Sequence, residues 1–185
     1  MKVGILGGTF NPPHIGHLIL AEEVRRKLNL NKVLFVPTNR PPHKKTYLVE
    51  AENRLRMVRL AVRSCPYFEV LDWEIKRKGI SYTIDTVRNL KKHYPKRDFF
   101  LIIGSDLANN FSLWKDYKEI KKLTKVVVVK RKNYPLRKKN FMVIDVINIE
   151  ITSSLIRDYI KRGFSIKYLV PLNVYRYIRQ NKLYL

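Results

Sequence analysis

The feature that most restricts this chain is a rhythm. Short aliphatic runs of strand length alternate with segments whose apolar residues recur at helical spacing. Residues 3–6, 33–36, 68–71, 99–103 and 126–129 are the runs. Between them lie Leu20/Val24/Leu28, Leu55/Val58/Val62 and Ile84/Val87/Leu90, then a short helical segment at 117–123. A further strand is expected near 142–146, followed by helices at about 154–161 and 172–181. The runs are nearly all apolar rather than alternating, as parallel strands covered on both faces must be. The expected fold is therefore α/β, a doubly wound, mainly parallel sheet with helices on both faces. Right-handed crossovers place ligands beyond the carboxyl ends of such strands, where strand order reverses, so functional residues should follow strands. No internal repeat or linker interrupts residues 1–185, which read as one domain.

Composition narrows the setting. With 185 residues and 45% hydrophobic content the chain can bury its own core. No apolar run approaches the roughly 18 residues of a membrane-spanning helix, and the first residues lack the apolar stretch of a secretion signal. The single cysteine, Cys65, excludes an internal disulfide and cannot by itself build a thiolate metal site, so a reducing, cytoplasmic setting is expected and no structural metal. The net charge of +23 should attract phosphates. Many lysines, among them Lys91, Lys92, Lys121 and Lys122, fall on solvated helix faces, which favours a lysine-rich surface over a dedicated nucleic-acid patch. Two segments read as loops: 37–47, and 130–140 with six Lys or Arg, the latter a solvated surface connection.

Chemistry concentrates in Gly7-Gly8-Thr9-Phe10-Asn11-Pro12-Pro13-His14-Ile15-Gly16-His17-Leu18, between the first strand and the first helix. Adjacent glycines let a ligand approach the backbone, and the amides of a helix N-terminus attract phosphate oxygens. The spacing is neither that of the Walker loop nor that of the dinucleotide fingerprint. Two histidines three apart at a helix start face one volume and can donate to polyphosphate oxygens. In isolation they would read as well as cappers or metal ligands.

The string GTFNPPHIGH resembles the signature of the nucleotidyltransferase superfamily, and His14-Ile15-Gly16-His17 carries its His-x-Gly-His element in full. Ile151-Thr152-Ser153-Ser154-Leu155-Ile156-Arg157 resembles the second superfamily element. Pro41-Pro42-His43-Lys44, Ser81-Tyr82-Thr83-Ile84-Asp85-Thr86, Ile103-Gly104-Ser105-Asp106, Leu113-Trp114-Lys115 and the closing Asn181-Lys182-Leu183-Tyr184 are similar to segments of the bacterial nicotinate-nucleotide adenylyltransferase family. Asn11 departs from the family, which often has Asp there, so no charge-dependent role is expected of it.

The resemblance implies a Rossmann-like fold and transfer of AMP from ATP, with Mg2+ carried on the triphosphate, to nicotinate mononucleotide. It implies His14, His17 and Arg157 as catalytic groups, and Gly7, Gly8, Thr9, Phe10, Gly16, Gly104, Asp106, Ile151, Ser153 and Ser154 as the ATP site. Lys44, Tyr82, Thr83 and Trp114 would meet the mononucleotide. Blander roles compete: helix caps for Ser153 and Asp106, a surface charge for Arg157, a core residue for Trp114. No covalent intermediate is required. The attacking phosphate is already anionic, so positioning and charge stabilisation should carry the reaction. Nicotinamide mononucleotide or phosphopantetheine are alternative acceptors within the fold, and a nucleic-acid-binding module is the remote alternative. No membrane partner is expected, and a homo-oligomer is compatible with the sequence.

Overall fold

The computed structural model describes residues 1–42, 49–132, 134–137, 140–147 and 149–185. Its centre is a sheet of six parallel strands: β1 (Lys2–Gly8), β2 (Lys32–Pro37), β3 (Phe68–Val70), β4 (Asp98–Gly104), β5 (Lys125–Val129) and β6 (Met142–Ile144). Their spatial order is β3-β2-β1-β4-β5-β6. The chain winds outward from β1 to β3, then returns to start again on the other side of β1. The reversal lies between β1 and β4, the point at which a doubly wound sheet opens a crevice. Register brings the carboxyl ends level: Gly8 pairs with Pro37, and Gly104 with Val129.

The helices are α1 (Ile15–Lys27), α2 (Ala51–Val62), α3 (Trp73–Arg77), α4 (Thr83–His93), α5 (Ser105–Ala108), α6 (Tyr117–Leu123), α7 (Ser153–Lys161) and α8 (Leu172–Gln180). Strand residues divide with period two between two cores. Val3, Ile5, Phe99, Leu101, Ile103, Val126 and Val128 face α4 and α6 through Ile84, Val87, Leu90 and Ile120. Leu6, Val33, Phe35, Phe100, Ile102, Val127 and Val129 face α1 and α2 through Ala21, Val24, Val58 and Val62. The expected sheet with helices on both faces is thus present.

Not every helix packs on the sheet. Met57 and Ala61, on the outer side of α2, join Ile156, Ile166, Val174, Ile178 and Tyr184 in a third core that holds α7 and α8 away from the sheet. Helix α2 is apolar on two sides, and α7 and α8 each bury one stripe against it. That layer brings residues 150–184 over the end of β1. Among the described residues no helix is long and apolar enough to cross a membrane.

Candidate active site

Strand β1 delivers Gly7 and Gly8 at its carboxyl end, where Gly7 is exposed and a Cβ on it would meet nothing within 4 Å. Thr9 follows half-buried. Phe10 adopts a left-handed backbone (φ 48°) and buries its ring, whose edge meets the His17 ring at 5.0 Å. Phe10 therefore props a histidine, and only its backbone remains for a ligand. After the cis Asn11–Pro12 peptide, His14 opens α1. Its N–H donates to His17 Nδ1 at 3.1 Å, which leaves the ring proton of neutral His17 on Nε2, a donor on the opposite edge. The two rings stack at 3.7 Å. Gly16 makes this possible, because a Cβ there would stand 3.1 Å from His14 Nδ1. His14 is buried, its Nδ1 has no hydrogen-bond partner among the described residues, and burial, aided by the Arg131 guanidinium, holds its pKa down to about 4. Near neutral pH the ring is uncharged.

The second element docks directly on the first. Thr152 is the N-cap of α7, its hydroxyl accepting from the Leu155 amide at 3.1 Å, so Ser153 does not cap that helix. The Ser153 hydroxyl instead donates to the Pro12 carbonyl at 2.8 Å, and Arg157 Nη1 donates to the Asn11 carbonyl at 2.8 Å. The other arm of the guanidinium donates to Ser154 Oγ at 3.2 Å. Arg157 is half-buried and engaged across the site rather than being an isolated surface charge. Ile151 anchors the approach to α7 by packing on the third core.

On the neighbouring strand, β4 ends at Gly104. A Cβ there would sit 2.3 Å from Asp106 Oδ1 and 2.8 Å from Arg131 Nε, so the glycine makes room for both groups. Gly104 itself is the N-cap of α5, which removes the capping role from Asp106. Asp106 Oδ1 is buried without a hydrogen bond, 3.5 Å from Arg131 Nε. The loop after β5 is tied down where it is described. Ser105 Oγ accepts from the Arg131 amide at 3.0 Å and donates to the Tyr134 carbonyl at 2.6 Å, and Asn109 binds Pro135 and Arg137 backbone groups. As expected, the described residues of 130–140 are exposed apart from half-buried Leu136; what the basic side chains left invisible in the sequence are the ties to Ser105 and Asn109.

The remaining candidates gather on the α4 and α6 side. Tyr82 and Trp114 both pack partly buried on that core, Trp114 standing 5.2 Å from the Phe111 ring. Lys115 Nζ lies 4.7 Å over the Tyr82 ring, which brings the two segments together. Thr83 is the first residue of α4, whose N-terminus has no side-chain cap. Lys44 lies outside the described residues. Beneath Tyr82 the buried Glu74 accepts from Thr86 Oγ1 at 2.7 Å. Burial raises its pKa, partly offset by the Thr86 and Ser81 hydroxyls.

Sequence reasoning missed Arg54, Arg131, Glu74 and Tyr184 as parts of this assembly. Arg54 is the largest fully buried side chain, yet it reads as one more cation on a basic helix. Its only visible signal is its place among the residues of α2 that point inward.

The chain is similar to known proteins along its whole length. The family model of cytidylyltransferase-like proteins matches residues 5–159. The probable nicotinate-nucleotide adenylyltransferase of Oceanobacillus iheyensis is 40% identical over 185 residues, covering 99% of this chain and 96% of that protein. The one from Dictyoglomus thermophilum is 43% identical and covered in full, as is this chain. Among solved structures, Plasmodium falciparum nicotinic acid mononucleotide adenylyltransferase complexed with NaAD superposes with a TM-score of 0.83 at 19% identity, covering 99% of this chain and 97% of that one, which establishes the shared fold. On the strength of the full-length relatives, the chain belongs to the nicotinate-nucleotide adenylyltransferases of the cytidylyltransferase-like family.

Proposed function

We propose that this protein transfers AMP from ATP to the 5′-phosphate of nicotinate mononucleotide, releasing pyrophosphate and forming nicotinate adenine dinucleotide. The observation that carries the reading is the junction at the end of β1. There the His-x-Gly-His turn and the start of α7 are locked together by Ser153 on Pro12 and Arg157 on Asn11, beside the opening between β1 and β4.

The chemistry follows from that junction. The acceptor phosphate oxygen attacks the α-phosphorus in line, a P–O bond forms, and the bond to the β-phosphate oxygen breaks with its electron pair leaving on pyrophosphate. Charge grows on the bridging and terminal oxygens as this happens. His17 presents Nε2–H to that charge, and Ser154, Arg157 and Arg131 supply further donors. His14, uncharged against the His17 ring, adds no positive charge beneath it; magnesium carried on ATP would supply charge neutralisation on the triphosphate, held mostly by phosphate and water. Asp106 is assigned to accept from the ribose hydroxyls of adenosine, a reading supported by its buried Oδ1 beside Arg131. On the acceptor side the uncapped N-terminus of α4 offers its amides to the pyridine carboxylate, with the ring against Trp114. Lys44 is assigned to the acceptor from the family pattern. The single cysteine supports a cytoplasmic setting.

Pyrophosphate release from Mg-ATP, measured in parallel with nicotinate mononucleotide, nicotinamide mononucleotide and phosphopantetheine, tests the reading. Preference for the nicotinate compound is expected. Preference for either of the others moves the specificity and keeps the chemistry, whereas silence with all three from folded protein rejects it.

A further inference from the structure

Arg54 is 1% exposed and, among the described residues, donates four hydrogen bonds, none of them to a carboxylate. Nε reaches the Val49 carbonyl at 2.9 Å, Nη1 the Thr9 carbonyl at 2.9 Å and the Thr38 carbonyl, and Nη2 the Asn39 carbonyl at 2.7 Å. These carbonyls belong to the glycine turn, the chain leaving β2 and the chain entering α2. Each segment continues into the site. Thr9 leads to His14 and His17. The Asn39 amide donates to Ser81 Oγ at 3.0 Å, beside Tyr82 and Thr83. Val49 is gripped from its other side as well, its amide donating to Asn11 Oδ1 at 3.3 Å while Tyr184 donates to the same oxygen at 2.9 Å.

A guanidinium is a costly way to fill a core, since burying a charge forfeits its hydration and an apolar side chain of similar volume would often stabilise as well. Burial indeed pulls the Arg54 pKa below its ordinary value. What the planar fork supplies and a hydrocarbon does not is direction: several carbonyls held at fixed angles to one another. We infer that Arg54 is a positioning residue for the transfer, one whose fork sets the glycine turn and the acceptor-side backbone in fixed relation, so that the two substrates meet in line. This rests on the adenylyl-transfer reading, in which the two sides hold the two substrates.

The mark of such a role is a split between binding and turnover. Each half-site can still bind its own substrate when the relation between them loosens, whereas in-line attack is lost steeply with small displacements. In full-length Arg54→Lys the charge remains but a single ammonium cannot span three segments. The expected result is a fall in kcat of about 30-fold or more, with the Kd for ATP and for nicotinate mononucleotide, each titrated alone, changed by less than about threefold. Exchange of the Asn39 and Val49 amides should speed up while the β1 and β4 amides stay protected. Unchanged kcat per folded molecule, or Kd values that weaken as much as kcat falls, would overturn the inference.

Should R54K fail to fold, Tyr184→Phe decides, because it deletes one hydroxyl at the far end of the same set of contacts. A fall in kcat with faster Val49 exchange supports the inference, and wild-type kcat with wild-type exchange overturns it. The exchange measurement needs no substrate, so failure of the acceptor assignment and failure of the Arg54 role give different results.

Discussion

The two sides of the cleft are assembled by different means. On the side proposed for the triphosphate, side chains from distant parts of the sequence reach for backbone carbonyls: Arg157 crosses 146 residues to Asn11, and Ser153 crosses 141 to Pro12. On the side proposed for the acceptor, Tyr82 and Trp114 are aromatic, and they are placed by lying half-buried on a core that the sheet builds anyway. A site for highly charged phosphates needs donors at fixed angles, which directional hydrogen bonds provide. A flat aromatic ring needs an apolar wall, which packing provides without dedicated ties. Damage should accordingly reach turnover on one side and acceptor affinity on the other.

The largest effect is expected from His17→Ala, which removes the side chain proposed to donate to the developing charge. Turnover should drop by about 100- to 1,000-fold, with the KM for nicotinate mononucleotide nearly unchanged. A variant that keeps its turnover and loses acceptor affinity would break the division into two sides.

Next in size is an effect of pH. The folded His14 pKa is about 4 against an ordinary value near 6.5, so below pH 6.5 the unfolded chain takes up a proton that the folded chain refuses. The stability difference is fully in place above pH 6.5 and is lost as pH falls toward 4. Urea midpoints of the wild type and of His14→Gln, compared at pH 7, 5.5 and 4.5, should show the wild type losing ground to the variant as acid is added. Parallel curves would refute the buried neutral ring.

Trp114→Ala is expected to raise the KM for the acceptor by about 2- to 12-fold, the equivalent of roughly 0.5 to 1.5 kcal/mol of ring contact, and to leave the KM for ATP alone. An equal rise in both would mean that Trp114 serves the core and not the ring. Smallest of all is Glu119→Gln. Glu119 and Asp116 pair with Arg88 in the open, and surface pairs of this kind contribute little. The variant should match the parent in kinetics and in urea midpoint.

The sheet was legible in the sequence because each of its longer strands is a run of Val, Ile, Leu or Phe too apolar to lie anywhere but inside. The helices α3 and α5 were not, since four or five residues carry no periodicity. Of the two sides, the triphosphate side announced itself through glycines, histidines and serines at special positions. Its supports did not. Arg54 and Arg131 are arginines in a chain with 38 basic residues, and nothing in composition separates the buried one from the solvated ones. Tyr184 escaped because its partner, Asn11, lies 173 residues away.

That distance bears on how the protein is made. During synthesis, β1 through β5 and the helices between them can pair as soon as residue 129 has left the ribosome, since the contacts are between neighbours in the sheet. The turn carrying His14 and His17 has by then been outside for more than a hundred residues, but its ties to Ser153, Arg157 and Tyr184 have not yet emerged. A nascent chain therefore owns a paired sheet before it owns the contacts that lock its turn, and a ribosome stalled with residue 150 at the tunnel exit would hold a folded sheet whose His14–His17 turn is still untied.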